Sequence, residues 1–252
     1  MIRSLRECGW MAADGFEQWR DARQVTWKMR GRFYGIKIHT KMYGEVSPWR
    51  IYGDLLNMGF HVWDDDKQSD IPSVVAKCVR NIAKGGADLV SIHGGDNLDT
   101  LGAAVEAYRK VDLAECVRPI PGFGIVAITP LTSIPPMNVK LVHGKSLEER
   151  ALEVAKYADM AGAYGVVCSP LEVRGLRSAY PGLKYFTPGI RLQGSSKDDQ
   201  ERVGTPAYAL AHGADYLVIG RGILKTADGR GWNPDMLGAV ERFEENIASG
   251  VD

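Results

Sequence analysis

A short charged stretch, WDDDKQSDIP at residues 63–72, contains the residue types that point most directly to chemistry. Its charged members are Asp64, Asp65, Asp66, Lys67 and Asp70. Like charges this close repel one another, and a packed interior does not tolerate carboxylates without partners. Two interpretations follow. The stretch is a solvated strand end with surface ion pairs worth about 0–1 kcal/mol each, or it is a catalytic array that holds an ammonium group between carboxylates.

The elements that carry these residues decide between the two interpretations. Eight short apolar runs rich in Val, Ile, Tyr or Phe, mostly bounded by Gly or Asp, have the pattern of buried strands. They are GWMAA, YGIKIH, FHVW, DLVSIH, GIVAIT, YGVVCS, KYFTPGI and YLVIG. Helical periodicity separates them, most clearly in SLEERALEVAKYADMAG, where Ser146 and Glu149 form a capping-box pattern.

Alternation of eight strands with about eight helices predicts a parallel sheet. In a chain of 252 residues it fits an α/β fold of the (β/α)8 TIM-barrel type. A doubly wound open sheet is the alternative. No linker or low-complexity tract divides the chain, so we expect residues 1–252 to form a single barrel domain.

Barrels of this type place their chemistry at the carboxyl ends of the strands. The residues at the predicted strand ends are Asp14, Lys37, Asp65 with Lys67, His93, Thr129 followed by Ser133, Ser169, Pro188 with Gly189, and Gly220 with Arg221. Residues two apart in a strand share a face, so Asp65 and Lys67 should point the same way. The pattern predicts that two lysines and two carboxylates converge at the open end of the barrel.

The composition excludes several classes of protein. The formal net charge is zero, which argues against nucleic-acid binding and against a polybasic membrane-surface protein. No apolar run approaches the roughly 20 residues that span a bilayer, and the N-terminal residues lack the apolar region of a secretory signal. The cysteines are widely spaced, without a zinc-like pattern. We therefore expect a cytoplasmic protein with reduced thiols.

The charged stretch resembles the D-x-K-x-x-D-I-P motif of the orotidine 5′-monophosphate decarboxylase family, with Asp65, Lys67 and Asp70 at its charged positions. The segments WMAAD, GIKIH, ITPLTS, TPGIRLQGSSKDDQERVGTP and GADYLVIGRGI resemble the family in the same order along the chain. The site residues in these segments are Asp14, Lys37, Ser133, Pro188, Gln193, Gly220 and Arg221. The resemblance covers roughly residues 8–225 and implies the barrel fold.

The resemblance also implies an activity, the conversion of orotidine monophosphate to uridine monophosphate without a metal or organic cofactor. Lys67 would protonate the carbanion at C6 of the pyrimidine and stabilise its charge. Asp65 would lie against the substrate carboxylate, and Lys37 and Asp70 would complete the array. Asp70 would come from the second subunit of a homodimer, and Asp14 would accept hydrogen bonds from the ribose.

The segments after the last two predicted strands resemble the phosphate site of the family. Barrel enzymes often bind phosphate with the loops after strands seven and eight. Pro188, Gly220 and Arg221 would form this site, and Gln193 would reach it from a loop at residues 194–204 that closes over the ligand.

Two features depart from the family pattern. Ser73 and Val74 stand where the family commonly has Asn and Thr, and Val74 cannot donate the hydrogen bond that the Thr hydroxyl makes to the ribose of the neighbouring subunit. Asp64 and Asp66 flank Asp65 and should point outward, where the family usually has apolar residues. Carboxylates buried there need donors, for which helix N-termini or an arginine are candidates.

Two alternatives remain beside the decarboxylase. D-x-K-x-x-D also occurs in metal-using sugar-phosphate barrels of the ketogulonate-phosphate decarboxylase and hexulose-phosphate synthase type, although D-I-P, T-P-G-I-R and I-G-R together are more selective. The second alternative is a nucleotide-binding barrel without catalytic activity, which the presence of Lys67 argues against.

Overall fold

Eight parallel strands close into a barrel in the computed structural model of the chain, with the last strand bonded back to the first. The structure describes residues 3–94, 98–111, 116, 123–194, 202–226 and 231–250. The strands are β1 Gly9–Ala12, β2 Gly35–Ile38, β3 His61–Gln68, β4 Leu89–His93, β5 Gly124–Ile128, β6 Gly165–Val167, β7 Lys184–Thr187 and β8 Tyr216–Ile219. The closed order confirms the predicted TIM barrel. The open sheet is wrong, because β1 pairs with both β2 and β8.

Helices follow the strands and cover the outside of the barrel. The α-helices within the described ranges are α1 Leu5–Cys8, α2 Trp19–Lys28, α3 Pro48–Asn57, α4 Pro72–Lys84, α5 Leu98–Arg109, α6 Pro136–His143, α7 Leu147–Ala161, α8 Val173–Ala179, α9 Pro206–Ala211, α10 Arg221–Leu224 and α11 Met236–Ser249. A 3-10 helix, η1, spans Thr40–Met42. None of these described helices has the length and apolar character needed to cross a membrane.

The helix with the clearest sequence pattern forms as predicted. Before α7, the Ser146 hydroxyl accepts a hydrogen bond from Glu149 N at 3.1 Å, and the Glu149 carboxylate accepts one from Ser146 N at 2.7 Å. The helix ends at Gly162 with φ 69°, a conformation that glycine adopts without strain. Its buried face includes Ala151 and Val154, so local capping and apolar periodicity together fix this element.

Aromatic side chains fill the interior of the barrel below its open end. The ring centroids of Trp10 and Trp63 are 5.6 Å apart, and those of Trp63 and Phe186 are 5.2 Å apart. Phe186 also stacks on Tyr216 at 4.6 Å, and all four side chains are buried. Such pairs contribute about 0.5–1.5 kcal/mol each beyond their buried area. The rings therefore form a rigid floor beneath the strand ends.

The barrel requires glycine at Gly165, where β6 passes β7. A Cβ there would lie 2.2 Å from the carbonyl oxygen of Lys184. We predict that Gly165→Ala lowers the free energy of unfolding in urea by about 1–3 kcal/mol, because backbone must shift. Gly53→Ala in α3 is the control, since its Cβ would meet nothing within 4 Å; it should stabilise by about 0.5–1 kcal/mol. Equal midpoints for the two variants would contradict the prediction.

Candidate active site

A cavity of about 380 Å³ opens at the carboxyl ends of the strands. Apolar and small residues from several strands form much of its wall, and its charged residues fall into two groups. The first group comes from the ends of β1, β2 and β3, and the second from the segments after β7 and β8. The first is Asp14, Lys37, Asp65 and Lys67, and the second is Arg191, Arg221 and Lys225.

Strand β3 is irregular where it reaches the cavity. Asp64 pairs with Val90 and Gln68 pairs with Ile92, so four residue steps of β3 face two steps of β4. Lys67 lies within this bulge and has φ 46°, a left-handed conformation that costs a residue other than glycine about 1–2 kcal/mol. Bulges re-aim side chains beside active sites. The regular alternation assumed in the sequence analysis therefore breaks at this point, and the bulge itself directs Lys67 into the cavity.

Four charged side chains form one connected array. Lys37 Nζ donates to Asp14 Oδ2 and, at 2.6 Å, to Asp65 Oδ2. Lys67 Nζ donates to the same Asp65 oxygen at 2.9 Å. Lys37 and Asp65 are buried, whereas Asp14 and Lys67 are partly exposed. The structure thus brings together the four side chains whose convergence the strand ends predict.

Burial and pairing act in opposite directions on this array. Burial alone would lower the pKa of Lys37, but the carboxylates of Asp14 and Asp65 raise that pKa above its ordinary value. Burial alone would raise the pKa of Asp65, yet Lys37, His39 and Lys67 hold it well below its ordinary value. Lys37 and Asp65 therefore both stay charged at neutral pH.

The second oxygen of Asp65 is fixed from the barrel floor. Ser91 of β4 donates its hydroxyl to Asp65 Oδ1 at 2.5 Å and accepts a hydrogen bond from the indole Nε1 of Trp63 at 2.8 Å. All three side chains are buried. Because both oxygens of Asp65 have donors, the carboxylate cannot rotate without leaving a buried polar group unpaired.

His39 joins the array although the sequence analysis did not predict it. Its Nε2 lies 2.9 Å from Lys67 Nζ and 3.3 Å from Asp65 Oδ2. Its Nδ1 lies 3.7 Å from Asp66 Oδ1. A signal was present in the sequence, because His39 follows Lys37 by two residues and so continues the same face of the strand.

Asp64 and Asp66 lie outside the cavity lining. Asp64 accepts hydrogen bonds from the hydroxyl of Tyr52 in α3, from Thr40 Oγ1 at 3.3 Å and from Asp66 N at 3.2 Å. Asp66 accepts from Thr40 Oγ1 at 2.9 Å. Asp64 therefore points towards the outer helices as expected, but its described donors are hydroxyls and a backbone N–H instead of the helix N-terminus or arginine considered above.

Three potential metal-ligand atoms lie within 4.8 Å of one another, a spacing suited to a metal ion. They come one each from Asp14, His39 and Asp65. Lys37 donates to both carboxylates, and Lys67 contacts Asp65 and His39. Two ammonium groups beside the same atoms would repel a divalent cation. The donor set therefore fits the lysines better than it fits a metal.

The predicted phosphate residues Pro188, Gly220 and Arg221 line the cavity, as do Thr129 and Ser169. These residues come from the ends of β5, β6, β7 and β8, so the barrel mouth gathers them from four neighbouring strands. Small polar side chains thus lie among the apolar residues of the wall.

Other predicted residues lie outside the cavity lining. Ser133, Gln193 and His93 are exposed and do not contribute to the wall. Residues 195–201, which form most of the predicted lid, lie outside the described residues.

Lining residues that the sequence did not single out include the polar and charged Thr132, Arg191 and Lys225. Arg191 is buried, and Lys225 Nζ lies 3.8 Å from the centroid of the Trp232 ring. Thr132 and Arg191 belong to the quoted segments ITPLTS and TPGIR, so those motifs carried the signal. Lys225 follows Arg221 by one helical turn, which places both on one face.

Asp70 lies apart from the array. It precedes α4, is exposed, and accepts a hydrogen bond from Ile71 N at 2.7 Å. It does not line the cavity of its own chain. Ile71 and Val74 beside it are 62% and 36% exposed, and Ser73 is exposed as well. This edge of the barrel therefore presents an acidic group among apolar ones.

The buried carboxyl of Asp64 gives a pH-dependent prediction. Burial and the nearby Asp66 charge raise the pKa of Asp64 to about 6, from about 3.9 in an unfolded chain. Its stabilising contribution is therefore complete below about pH 4 and is lost as the pH rises through 6. We predict that Asp64→Asn gains up to about 3 kcal/mol in unfolding free energy relative to wild type between pH 4 and pH 7.

The comparison variant for this measurement is Asp66→Asn. Burial raises the pKa of Asp66, but hydrogen bonds from His39 and Thr40 outweigh burial and lower it. Asp66 therefore stabilises the fold above its unfolded pKa, and this contribution is lost as the pH falls. Denaturant titrations from about pH 2 to pH 8 should give the two variants opposite trends relative to wild type. Asp64→Asn gains as the pH rises from about 4 to 7, whereas the deficit of Asp66→Asn shrinks as the pH falls below about 4. Parallel trends would contradict the assignment.

The chain is similar to known proteins over most of its length. Residues 11–231 match the sequence model of the orotidine 5′-phosphate decarboxylase / HUMPS family. The orotidine 5′-phosphate decarboxylase of Pseudomonas fluorescens is 39% identical over 195 residues, which are 77% of this chain and 80% of that protein. The enzyme of the same name from Idiomarina loihiensis is 36% identical over 196 residues, 77% of this chain and 81% of its own.

A solved structure supports the fold. The crystal structure of orotidine 5′-phosphate decarboxylase from Lactobacillus acidophilus superposes with a TM-score of 0.75 over 96% of this chain and 99% of its own, at 24% identity. With the family match extending from β1 past β8, the chain belongs to the orotidine 5′-phosphate decarboxylase / HUMPS family.

Proposed function

We propose that the protein decarboxylates orotidine 5′-monophosphate to uridine 5′-monophosphate, the last step of de novo pyrimidine biosynthesis. The observation that carries the proposal is one cavity lined both by the Lys37, Asp65 and Lys67 array and by Arg191 and Arg221. A nucleotide with a reacting carboxylate on its base and a phosphate on its ribose matches this distribution of charge. The names of the relatives support the same reaction.

The bond changes use the array directly. The bond between C6 and the carboxylate carbon breaks, carbon dioxide leaves, and the electron pair stays on C6. The Lys67 ammonium stabilises this carbanion and then gives it a proton, so that the product carries C6–H. Asp65 lies against the departing carboxylate, and Lys37 keeps Asp65 ionised.

Electrostatic repulsion alone is too small to drive the reaction. Two carboxylates about 4 Å apart repel by roughly 4 kcal/mol at an effective dielectric constant of 20, and this repulsion disappears when neutral carbon dioxide leaves. Enzymatic accelerations correspond to as much as about 23 kcal/mol. Stabilisation of the carbanion by Lys67, in a site organised before substrate binds, must therefore contribute more. Binding energy at the phosphate must also position the ring.

The rest of the cavity fits the remainder of a nucleotide. Among the described residues, Asp14 Oδ1 is buried without a hydrogen-bond donor, and a ribose hydroxyl would supply one. Arg221 and the backbone at Pro188 and Gly220 would hold the phosphate. Ser133 and Gln193 are exposed in this structure, so we propose that they contact substrate only after their loops close.

The metal-using alternative shares the family, because the family name includes the HUMPS branch. The two ammonium groups on Asp14, His39 and Asp65 favour a reaction without metal, as do the names of the curated relatives. Turnover of orotidine monophosphate by chelator-treated protein, followed by ultraviolet absorbance, separates the two. Turnover that needs added metal would favour the alternative, and no turnover under either condition would favour a binding protein without activity.

Removal of the Lys67 amine provides the mechanistic test. We predict that Lys67→Ala and Lys67→Gly each lower kcat for orotidine monophosphate by at least about a thousandfold, because the proton donor and the carbanion's counter-charge are both lost. The glycine variant suits the φ of 46° at this position, so its fold should be at least as stable as that of the alanine variant.

Lys110→Ala is the matched control for Lys67. Lys110 is 71% exposed and pairs with Glu106, so the variant should keep wild-type kcat. A Lys67→Gly protein that is folded by circular dichroism and retains near-normal kcat would contradict the assigned proton donor.

We also propose that the protein is a homodimer in which Asp70 enters the cavity of the neighbouring subunit. Asp70 is exposed and lies outside the cavity lining of its own chain. The exposed Ile71 and Val74 beside it supply apolar surface for a subunit contact. Val74 lacks a hydroxyl, so this contact would bind the ribose through fewer hydrogen bonds than the family pattern provides.

Mixing two inactive variants tests the shared site. Asp65→Ala and Asp70→Ala should each be inactive alone. After subunit exchange, half of the dimers are hybrids with one intact site each, so we predict recovery of about a quarter of wild-type activity. Mass spectrometry of differently tagged chains would verify the exchange. Proven hybrids without activity would contradict a site built from two subunits.

A further inference from the structure

One atom of His39 lies between the two central groups of the array. Nε2 is 2.9 Å from Lys67 Nζ and 3.3 Å from Asp65 Oδ2. An unprotonated Nε2 accepts a hydrogen bond from the Lys67 ammonium, whereas a protonated Nε2 cannot accept one and donates to Asp65 instead. The protonation state of this imidazole therefore selects between two arrangements of the same three side chains.

The Lys67 ammonium can only donate, so its contact requires an unprotonated Nε2, and Asp66 supports this tautomer of the neutral ring from the other side. Asp66 Oδ1 lies 3.7 Å from His39 Nδ1. The carboxylate is itself held by Thr40 Oγ1 at 2.9 Å and by Lys41 N at 3.4 Å. A carboxylate beside Nδ1 favours a proton on that nitrogen and leaves Nε2 as the acceptor. This arrangement gives Asp66 a role that its position outside the cavity did not reveal.

Lys67 has few other partners to fix its direction. Its side chain is 24% exposed to solvent, and its backbone is in the left-handed region. Within the described part of the chain, the hydrogen-bond partners of its Nζ are Asp65 and His39. Without His39, Asp65 alone would hold the ammonium, and the long side chain would gain rotamers that point elsewhere.

Charged groups on three strands surround the imidazole. Burial lowers the pKa of His39, but the hydrogen-bonded carboxylates of Asp65 and Asp66 outweigh burial and raise the pKa above its ordinary value. The charged groups that act on His39 are Asp14 from the end of β1, Lys37 from β2, and Asp65, Asp66 and Lys67 from β3. The neutral form is therefore lost as the pH falls through a pKa that lies above the ordinary value of histidine.

We infer that His39 is a positioning residue that holds the Lys67 ammonium towards the substrate through its neutral Nε2 and releases it on protonation. The inference rests on the proposed function of Lys67 as the proton donor. It also gives a role to Asp66, which lies outside the cavity lining but contacts Lys67 through His39. Activity should rise with pH as His39 loses its proton.

Two substitutions separate positioning from a merely structural role. His39→Ala removes the acceptor, and we expect kcat for orotidine monophosphate to fall roughly ten- to a hundredfold, with a smaller change in KM. His39→Asn restores an acceptor oxygen that does not titrate. It should recover most of kcat at pH 8 and lose the acidic limb that wild type shows in kcat against pH.

Asp66→Asn provides a second, independent readout. Removal of this carboxylate should move the acidic limb of kcat to lower pH, because the imidazolium loses one of the two carboxylates within 4 Å of its nitrogens. In the substrate-free protein, imidazole ¹⁵N shifts assigned by comparison with His39→Asn should show Nε2 unprotonated at pH 8. The same titration in Asp66→Asn should give a lower pKa for His39.

The outcomes distinguish the inference from the proposed function. Absence of orotidine monophosphate turnover by wild type would end the proposed function, and the ¹⁵N titration would still test the tautomer. If wild type turns over orotidine monophosphate and His39→Ala has the same kcat, the inference is overturned. It is also overturned if the kcat of His39→Asn is as low as that of His39→Ala. An Nε2 that carries the proton at pH 8 would overturn it as well.

Discussion

The rest of the site depends on the pairing of the ionised Asp65 carboxylate with its hydrogen-bond donors. The carboxylate is buried, and a charge without partners at that depth is strongly unfavourable. Lys37 and Lys67 donate to one oxygen and Ser91 donates to the other. Loss of any one of these donors leaves part of a buried charge uncompensated. The lysine ammonium groups are therefore held where the chemistry needs them by the same contacts that make the buried carboxylate tolerable.

The groups around Asp65 explain why the charged stretch contains so many aspartates. Asp64 binds Tyr52 and Thr40 behind the strand, which anchors β3 where its pairing with β4 is interrupted. The anchor matters because Lys67 has a strained backbone in this bulge, and such strain persists only where surrounding contacts fix it. One carboxylate of the stretch thus faces the cavity and another secures the backbone that presents it.

Much of the fold could be predicted because its signals are local. Apolar runs between Gly and Asp define the strands, and the Ser146–Glu149 capping box defines the start of α7. Once the strands are parallel, their ends must meet, so the convergence of Lys37 and Asp65 follows from topology. No local sequence pattern predicts the irregular pairing of β3 with β4 or the hydrogen bond from the Tyr52 hydroxyl to Asp64. Both depend on residues that lie in other elements of the fold.

The missed residues show the same limit in the site. His39 could have been predicted, because it follows Lys37 by two residues and residues two apart in a strand share a face. Its contact with Lys67, however, depends on the bulge of β3, which the alternation rule does not include. Ser133 and Gln193 occupy motif positions, yet both are exposed. Motif position gives the segment that approaches a ligand, whereas the conformation of the loop decides which of its residues lines the cavity.

Closure of the barrel makes the site possible. The array of lysines and carboxylates comes from β1, β2 and β3, and the cations of the second group follow β7 and β8. In an open sheet with this strand order, the two groups would lie at opposite edges. The pairing of Met11 with Ile219 joins those edges, so Asp14 after β1 and Arg221 after β8 line one cavity. The ribose of a nucleotide lies between its base and its phosphate, so a hydrogen-bond acceptor where β1 meets β8 is placed to bind the ribose hydroxyls.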